Sequence, residues 1–588
     1  MCYLLKIMAF LGFFVFVFLA LLSACAPSAP ELALPPKELA WDPQAPFRGE
    51  KKVEIPAEAR ALGHFAKGQS LLSQGEFDQA LTEFEGAVQA DPSNAFLRFR
   101  LATLYLRKGD LKNALRETEE ATRLDPSGVD SRLLLAGLYS SMGEEAKAVR
   151  EYQEVLRLDA KNQEALLYLG ALHLKLGDYE KATKSLEQLL AVNAQSLLGH
   201  YYLGRVRAKS QLYLAAEESY RKALELNPKS EAVLMELALV YELQGKMENA
   251  IQTYKRLLQG HPNNVWATNR LGELLVGQNK LDEALTQFQR LQGIEADPRE
   301  ARTKIGLIYY EQGDFERAAS EFNLVLAADP ENDRVRYYLG STYSEMKVYE
   351  RALEEFSRIL EKSDYYADAR IQLAYLYDRR EEIAKAIEAV QAALRKKKDE
   401  KEILALLASL YRKAKDYPKA IEAWQRIAVL DPKNDQAQFQ LGALYDENKN
   451  KEKSVEHMKK AIELNPQNAA ALNYLGYTWA EMGIRLDEAE NLILRALKIE
   501  PNDGFYIDSL GWVYYQKGDY KKAVEQLERA VELANDDPTI IEHLGDAYEK
   551  FGKLDGALER YREALKRSKE EEQSKRIREK LQRLERKI

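Results

Sequence analysis

A chain of 588 residues is longer than one hydrophobic core supports, so several domains or a repeat array are expected. Apolar residues at 46% and charged residues at 30% argue for a folded, helix-rich protein and against a disordered one. The net charge of −8 argues against a nucleic-acid-coating protein, which carries a basic excess. The two cysteines, Cys2 and Cys25, leave everything after residue 25 without a disulfide framework or a thiolate metal site.

The first element is an address. Lys6 supplies a positive charge, and residues 7–22 then run apolar for 16 residues. That is short of the roughly 20 residues needed to span a bilayer as a helix. The run ends in Leu22-Ser23-Ala24-Cys25, which resembles the lipobox of bacterial lipoproteins. The resemblance implies cleavage before Cys25, which becomes the lipidated N-terminus, and residues 1–24 leave as a signal peptide. The acyl chains such lipoproteins carry suffice for stable anchoring. Residue 26 is Ala, not the Asp that favours inner-membrane retention in that family. This points to the outer membrane, with the protein facing the periplasm. Residues 25–56 then hold seven prolines, from Pro27 to Pro56, and read as a semi-rigid tether.

From residue 61 the sequence repeats every 34 residues, fifteen times, with one residue inserted near 484–486. Position 8 is always Gly or Ala, from Gly68 to Gly545. Position 20 is Ala in fourteen repeats and Ser454 in the other. Small residues at both places let two helices approach closely, where larger ones would overpack. Leucine is common at position 7 and an aromatic at position 11, such as Leu101 and Tyr105, one turn apart on one face. Position 15 is often Gly, which ends a first helix, and position 32 often Pro, which ends a second. Six repeats replace the turn glycine, with Gln211, Asn279, Lys347, Glu381, Lys415 and Lys449. Repeats with Ala160, Ala194, Asp364, Lys398 or Asn535 lack the terminal proline. Softer joints are expected at both kinds of departure.

This pattern resembles the tetratricopeptide repeat over residues 61 to about 571. The resemblance implies an all-α solenoid, a right-handed superhelix of about fifteen hairpins whose first helices line an inner groove. The array is assigned to residues 57–571. Residues 572–588 follow as a basic amphipathic helix, with Ile577, Leu581, Leu584 and Ile588 on one face. Its favoured role is a cap for the solenoid end, and the rival role is a docking tail for acidic partners.

In the family the groove is lined by positions 2, 5, 9 and 12. In the N-terminal repeats these positions hold Leu62, Phe65, Phe96, Phe99, Leu133, Leu167 and Tyr201, an apolar wall suited to an apolar helix or extended segment. Toward the C-terminus they hold Asn473, Tyr477, Phe505, Asp508, Trp512 and Tyr515, a mixture suited to an extended peptide. The wall is open to a second reading, in which the chain's own linker fills it. Chaperone-tail binders of the family use a Lys/Asn clamp. Phe65, Gln69 and Phe99 stand where that clamp would begin, so that ligand is not expected.

The six histidines are scattered and none has metal-ligand spacing. No P-loop, nucleophile elbow or dinucleotide fingerprint occurs. Neither catalysis nor a cofactor is expected. The function expected is that of a membrane-anchored scaffold for envelope proteins or peptides, with no nucleic-acid partner. Asn473-Tyr474-Leu475-Gly476-Tyr477 and Asp508-Ser509-Leu510-Gly511-Trp512-Val513-Tyr514-Tyr515 resemble one subfamily of repeat lipoproteins. That subfamily includes the partner of a carboxy-terminal processing protease, which implies an adaptor holding a protease near cell-wall hydrolases. The alternative is an assembly factor for a polysaccharide, pilus or secretion machine.

Overall fold

The computed structural model describes residues 54–534 and 536–587. The signal segment, Cys25, nearly all of the tether, Asn535 and Ile588 lie outside the described residues. Thirty-one helices and no strand occur among the described residues. They fall into two compact units divided between Ala296 and Asp297. The first holds seven helical hairpins, from Ala57–Ser73 to Leu281–Ile294. The second holds eight hairpins, from Arg299–Glu311 to Leu554–Arg567, and a last helix Glu571–Glu585. Within each unit every helix packs on its hairpin partner and on the helix that follows. No described helix is long and apolar enough to cross a membrane.

The sequence period becomes a hairpin through its local signals. Many first helices open on an Asn, Ser or Asp cap, as where Asn94 Oδ1 accepts from Leu97 N at 3.2 Å. Some second helices open likewise, as where Asp110 accepts from Asn113 N at 3.1 Å, while others, such as Tyr213–Leu226, have no side-chain cap. Between them all fifteen residues at position 15 adopt the left-handed conformation. Nine are glycines, and the other six are the predicted departures, with φ between 57° and 62°. The turn is therefore imposed by the packing of the two helices, and non-glycine residues accept about 1–2 kcal/mol of strain to make it.

Proline proves equally dispensable at Ala160 and Ala194. There the residue before supplies an Asx turn, Asp159 Oδ1 accepting from Lys161 N at 3.1 Å and Asn193 Oδ1 from Gln195 N at 3.1 Å. Geometry does change near Asp364. Helix Tyr349–Arg358 is only 10 residues long, because Ile359 leaves the helix and is fully buried. The inserted residue near 484–486 is taken up in its turn, where Gly483 and Arg485 both have positive φ.

The two small positions mark the tightest contact. All fifteen residues at position 20 are fully buried. At position 8, a Cβ added to Gly204 would lie 2.5 Å from the Tyr220 ring of the facing helix. Adjacent repeats are latched by a bond that the periodicity alone does not announce. The position-11 tyrosine donates its hydroxyl to the second helix of the preceding repeat, Tyr105 to Glu85 at 2.6 Å, Tyr139 to Glu119 at 2.7 Å and Tyr548 to Glu528 at 2.6 Å.

Candidate partner-binding surfaces

The N-terminal wall is uneven. Leu62 and Phe96, both at position 2, are 67% and 57% exposed. Phe65 lies half-buried between them and the core, its ring 5.7 Å from Phe96 and 5.4 Å from Phe84. Phe99 is half-buried against the same core. Leu133 and Leu167 pack onto the cores of their own repeats. Tyr201 meets Tyr202 at 5.2 Å and Tyr220 at 6.4 Å, and burial pushes its phenol up to about 12. Beside it a cleft of about 360 Å³ is lined by Ala171, Leu174, Tyr202 and Arg205. Arg205 is already paired with Glu236 at 3.3 Å. The open apolar surface of this wall is therefore the strip of Leu62, Phe65 and Phe96.

In the second unit, helices Ala469–Glu481, Gly504–Lys517 and Pro538–Phe551 gather four of the six predicted residues, Tyr477, Asp508, Trp512 and Tyr515. They surround a residue not predicted, His543. Its Nδ1 lies 2.9 Å from Asp508 Oδ1 and 3.1 Å from Oδ2. The Trp512 indole is stacked on both sides, on Tyr515 at 4.6 Å and on His543 at 4.2 Å. Tyr477 tilts toward the imidazole at 6.4 Å. Burial disfavours the imidazolium, but Asp508, Asp546 and Glu542 outweigh it and hold the His543 pKa above its usual value. Phe505 is 55% exposed and stands apart from the stack. Asn473 is half-buried, with its Oδ1 enclosed and unpartnered, as is the Trp512 Nε1. With both indole faces covered, this cluster acts as an internal polar-aromatic joint between repeats 13, 14 and 15.

The terminal helix Glu571–Glu585 continues the register, one period after Pro538–Phe551. Its groove-position residues pair with those of the last repeat, each 34 residues earlier. Gln573 donates to Thr539 at 3.1 Å, Arg576 to Glu542 at 2.8 and 2.9 Å, Lys580 to Asp546 at 2.6 Å and Arg583 to Glu549 at 2.7 Å. Ile577 and Leu584 are fully buried beneath. Four of the tail's basic residues, Lys587 included, are thus spent on an acidic row at positions 5, 9 and 12 of repeat 15. Charge complementarity at a spacing of one period was the sequence signal for this docking.

Family models described as TPR repeat or tetratricopeptide repeat match residues 65–129, 141–201, 201–265, 241–305, 309–364, 371–438, 405–469 and 511–552. The chain belongs to the tetratricopeptide-repeat family. A TPR repeat-containing protein of Pseudomonas aeruginosa is 40% identical over 75 residues, which are 13% of this chain and 12% of that one. The matched stretch thus spans about an eighth of that relative's length. A solved tetratricopeptide repeat protein from Parabacteroides merdae aligns at 20% identity with a TM-score of 0.34, over 42% of this chain and 98% of its own. YrrB, described as a TPR protein with an unusual peptide-binding site, aligns at 18% with a TM-score of 0.29, over 31% and 95%. These are likenesses of repeat fold. No group of three or more His, Cys, Asp or Glu placed to hold a metal ion occurs among the described residues of this tetratricopeptide-repeat chain.

Proposed function

We propose that this tetratricopeptide-repeat protein is a scaffold that holds other envelope proteins, anchored to a membrane through a lipid on Cys25. The observation that carries the scaffold reading is the strip of Leu62, Phe65 and Phe96. Two large apolar side chains more than half exposed on neighbouring first helices, backed by a half-buried third, mark a contact surface. The lipobox resemblance supports the anchor, and Ala26 supports the outer membrane facing the periplasm. Residues 473–477 and 508–515 support the finer reading, an adaptor that brings a processing protease to cell-wall hydrolases. Its mechanism is effective concentration, since two weak ligands on one scaffold meet far more often than free ones.

The test is capture from solubilised envelopes with the mature chain and with Leu62→Asp/Phe96→Asp. Both side chains are solvent-facing, so the variant keeps the wild-type melting profile. Recovery of a protease or wall hydrolase by the wild type alone supports the adaptor. Equal recovery by both proteins, or recovery only of export components, sinks it. Mass spectrometry of the mature N-terminus tests the anchor: an unmodified Cys25, or a chain beginning elsewhere, removes it.

A further inference from the structure

Among the described residues Arg100 is a cation without a counter-charge. It occupies position 6 of repeat 2, half-buried, with its Nε enclosed and unpartnered. Burial alone lowers its pKa, with no carboxylate opposing the shift. Three other charged residues at the same repeat position are met from the neighbouring first helix. Glu236 pairs with Arg205 at 3.3 Å, Arg270 with Glu242 at 2.5 Å and His543 with Asp508 at 2.9 Å. In those pairs the preceding repeat uses position 9, 12 or 5. For Arg100 the preceding repeat offers Phe65, Gln69 and Leu72 there, so no acid faces it among the described residues. An unpaired, partly desolvated guanidinium is costly, and an arriving carboxylate removes the cost. Arg100 also lies one turn beyond Phe96 on one helix, so it shares a face with the exposed apolar strip. The site thus asks for a segment with apolar side chains next to a carboxylate.

The chain carries such a segment. Glu38-Leu39-Ala40-Trp41-Asp42 places an aliphatic and an indole side chain between two acids, in sequence just before the array. These residues lie outside the described ones. Asp42 lies twelve positions before Glu54, with eleven residues between them. Extended, they span about 40 Å, enough to return over the first helices of repeats 1 and 2, which pack about 10 Å from their neighbours. Connection to the same chain also supplies a high effective concentration, so a modest contact suffices.

We propose that residues 38–42 of this chain dock on the strip of Leu62, Phe65 and Phe96, with Glu38 or Asp42 pairing with Arg100. A partner using the strip must then displace the chain's own segment, which makes the surface self-masked. The inference stands on the purified chain alone and does not depend on any partner's identity.

The test is hydrogen exchange on the full-length protein in detergent, followed at residues 38–42 and 96–106. The expected result is at least tenfold slower exchange at 38–42 than in a free peptide of that sequence. That protection is lost in Arg100→Glu and in the milder Arg100→Gln. It returns when Arg100→Glu is combined with Glu38→Lys and Asp42→Lys. Free-peptide rates at 38–42 in the wild type overturn the proposal. Concentration-dependent protection of 96–106 without protection at 38–42 overturns it too, and assigns the strip to a second copy. Protection that survives both Arg100 variants also overturns it.

Discussion

The docking of the terminal helix rests on Glu542, and Glu542→Gln measures how firmly. Glu542 is 1% exposed and accepts from Arg576 at 2.8 and 2.9 Å, with Lys580 at 2.7 Å. The substitution keeps the shape and removes the charge that both cations share. Arg576 is 55% and Lys580 21% exposed, so both can turn toward water when the acid is lost. The cost then stays below that of stranding a buried ion, at about 1.5–3 kcal/mol for hydrogen bonds to a charged group. That corresponds to roughly tenfold to 150-fold faster amide exchange, at about 1.4 kcal/mol per factor of ten. A repeat array does not unfold in one step, so a global melt is the wrong readout. Exchange should rise at residues 571–585 and stay unchanged in residues 57–294. Acid should act the same way. Burial raises the Glu542 pKa, but the bonds from Arg576 and Lys580 outweigh it and leave the folded value depressed. Its stabilisation is present above the unfolded pKa and disappears as pH falls through the folded one. Unchanged protection of residues 571–585 in Glu542→Gln would refute the acidic row as the anchor of this helix.

Other predictions follow from the same contacts. Lys347 holds φ 60° at an exposed turn, so Lys347→Gly should stabilise its own hairpin by about 1 kcal/mol, read as slower amide exchange at residues 333–358, and faster exchange there would contradict strain at that turn. Tyr139→Phe should destabilise the first unit by about 1 kcal/mol through loss of the Glu119 bond, and a neutral result would deny the inter-repeat latch. The His543 pKa is raised by Asp508, Asp546 and Glu542, which face it along with Tyr477 and Trp512. Its stabilisation is therefore full below the unfolded value and lost as pH rises through the folded one. The stability gap between wild type and His543→Gln should shrink as pH rises above the unperturbed value of about 6.5; a widening gap would reverse the assigned sign.

What the sequence alone determined is whatever a single period encodes. The hairpin boundaries, the small residues at positions 8 and 20, and the turn at position 15 are local and recur fifteen times, so noise at one repeat is corrected by the rest. Even the departures at Lys347 and Ala160 kept their turns, because neighbouring packing and an Asx bond replaced the missing residue type. Groove positions, by contrast, state only that a side chain points toward a neighbouring repeat. Whether it stays open depends on which residues meet it one period away. Phe96 remains exposed because nothing described lies over it, whereas Trp512 is half-buried because His543 arrives from the next repeat to cover one ring face. The sequence favoured the basic tail as a cap, but its partners, the row of Glu542, Asp546 and Glu549, came into view only with the helices stacked. Those outcomes belong to tertiary structure, because they are set by distances between residues 34 or 35 apart that only the stacked helices bring within hydrogen-bond reach.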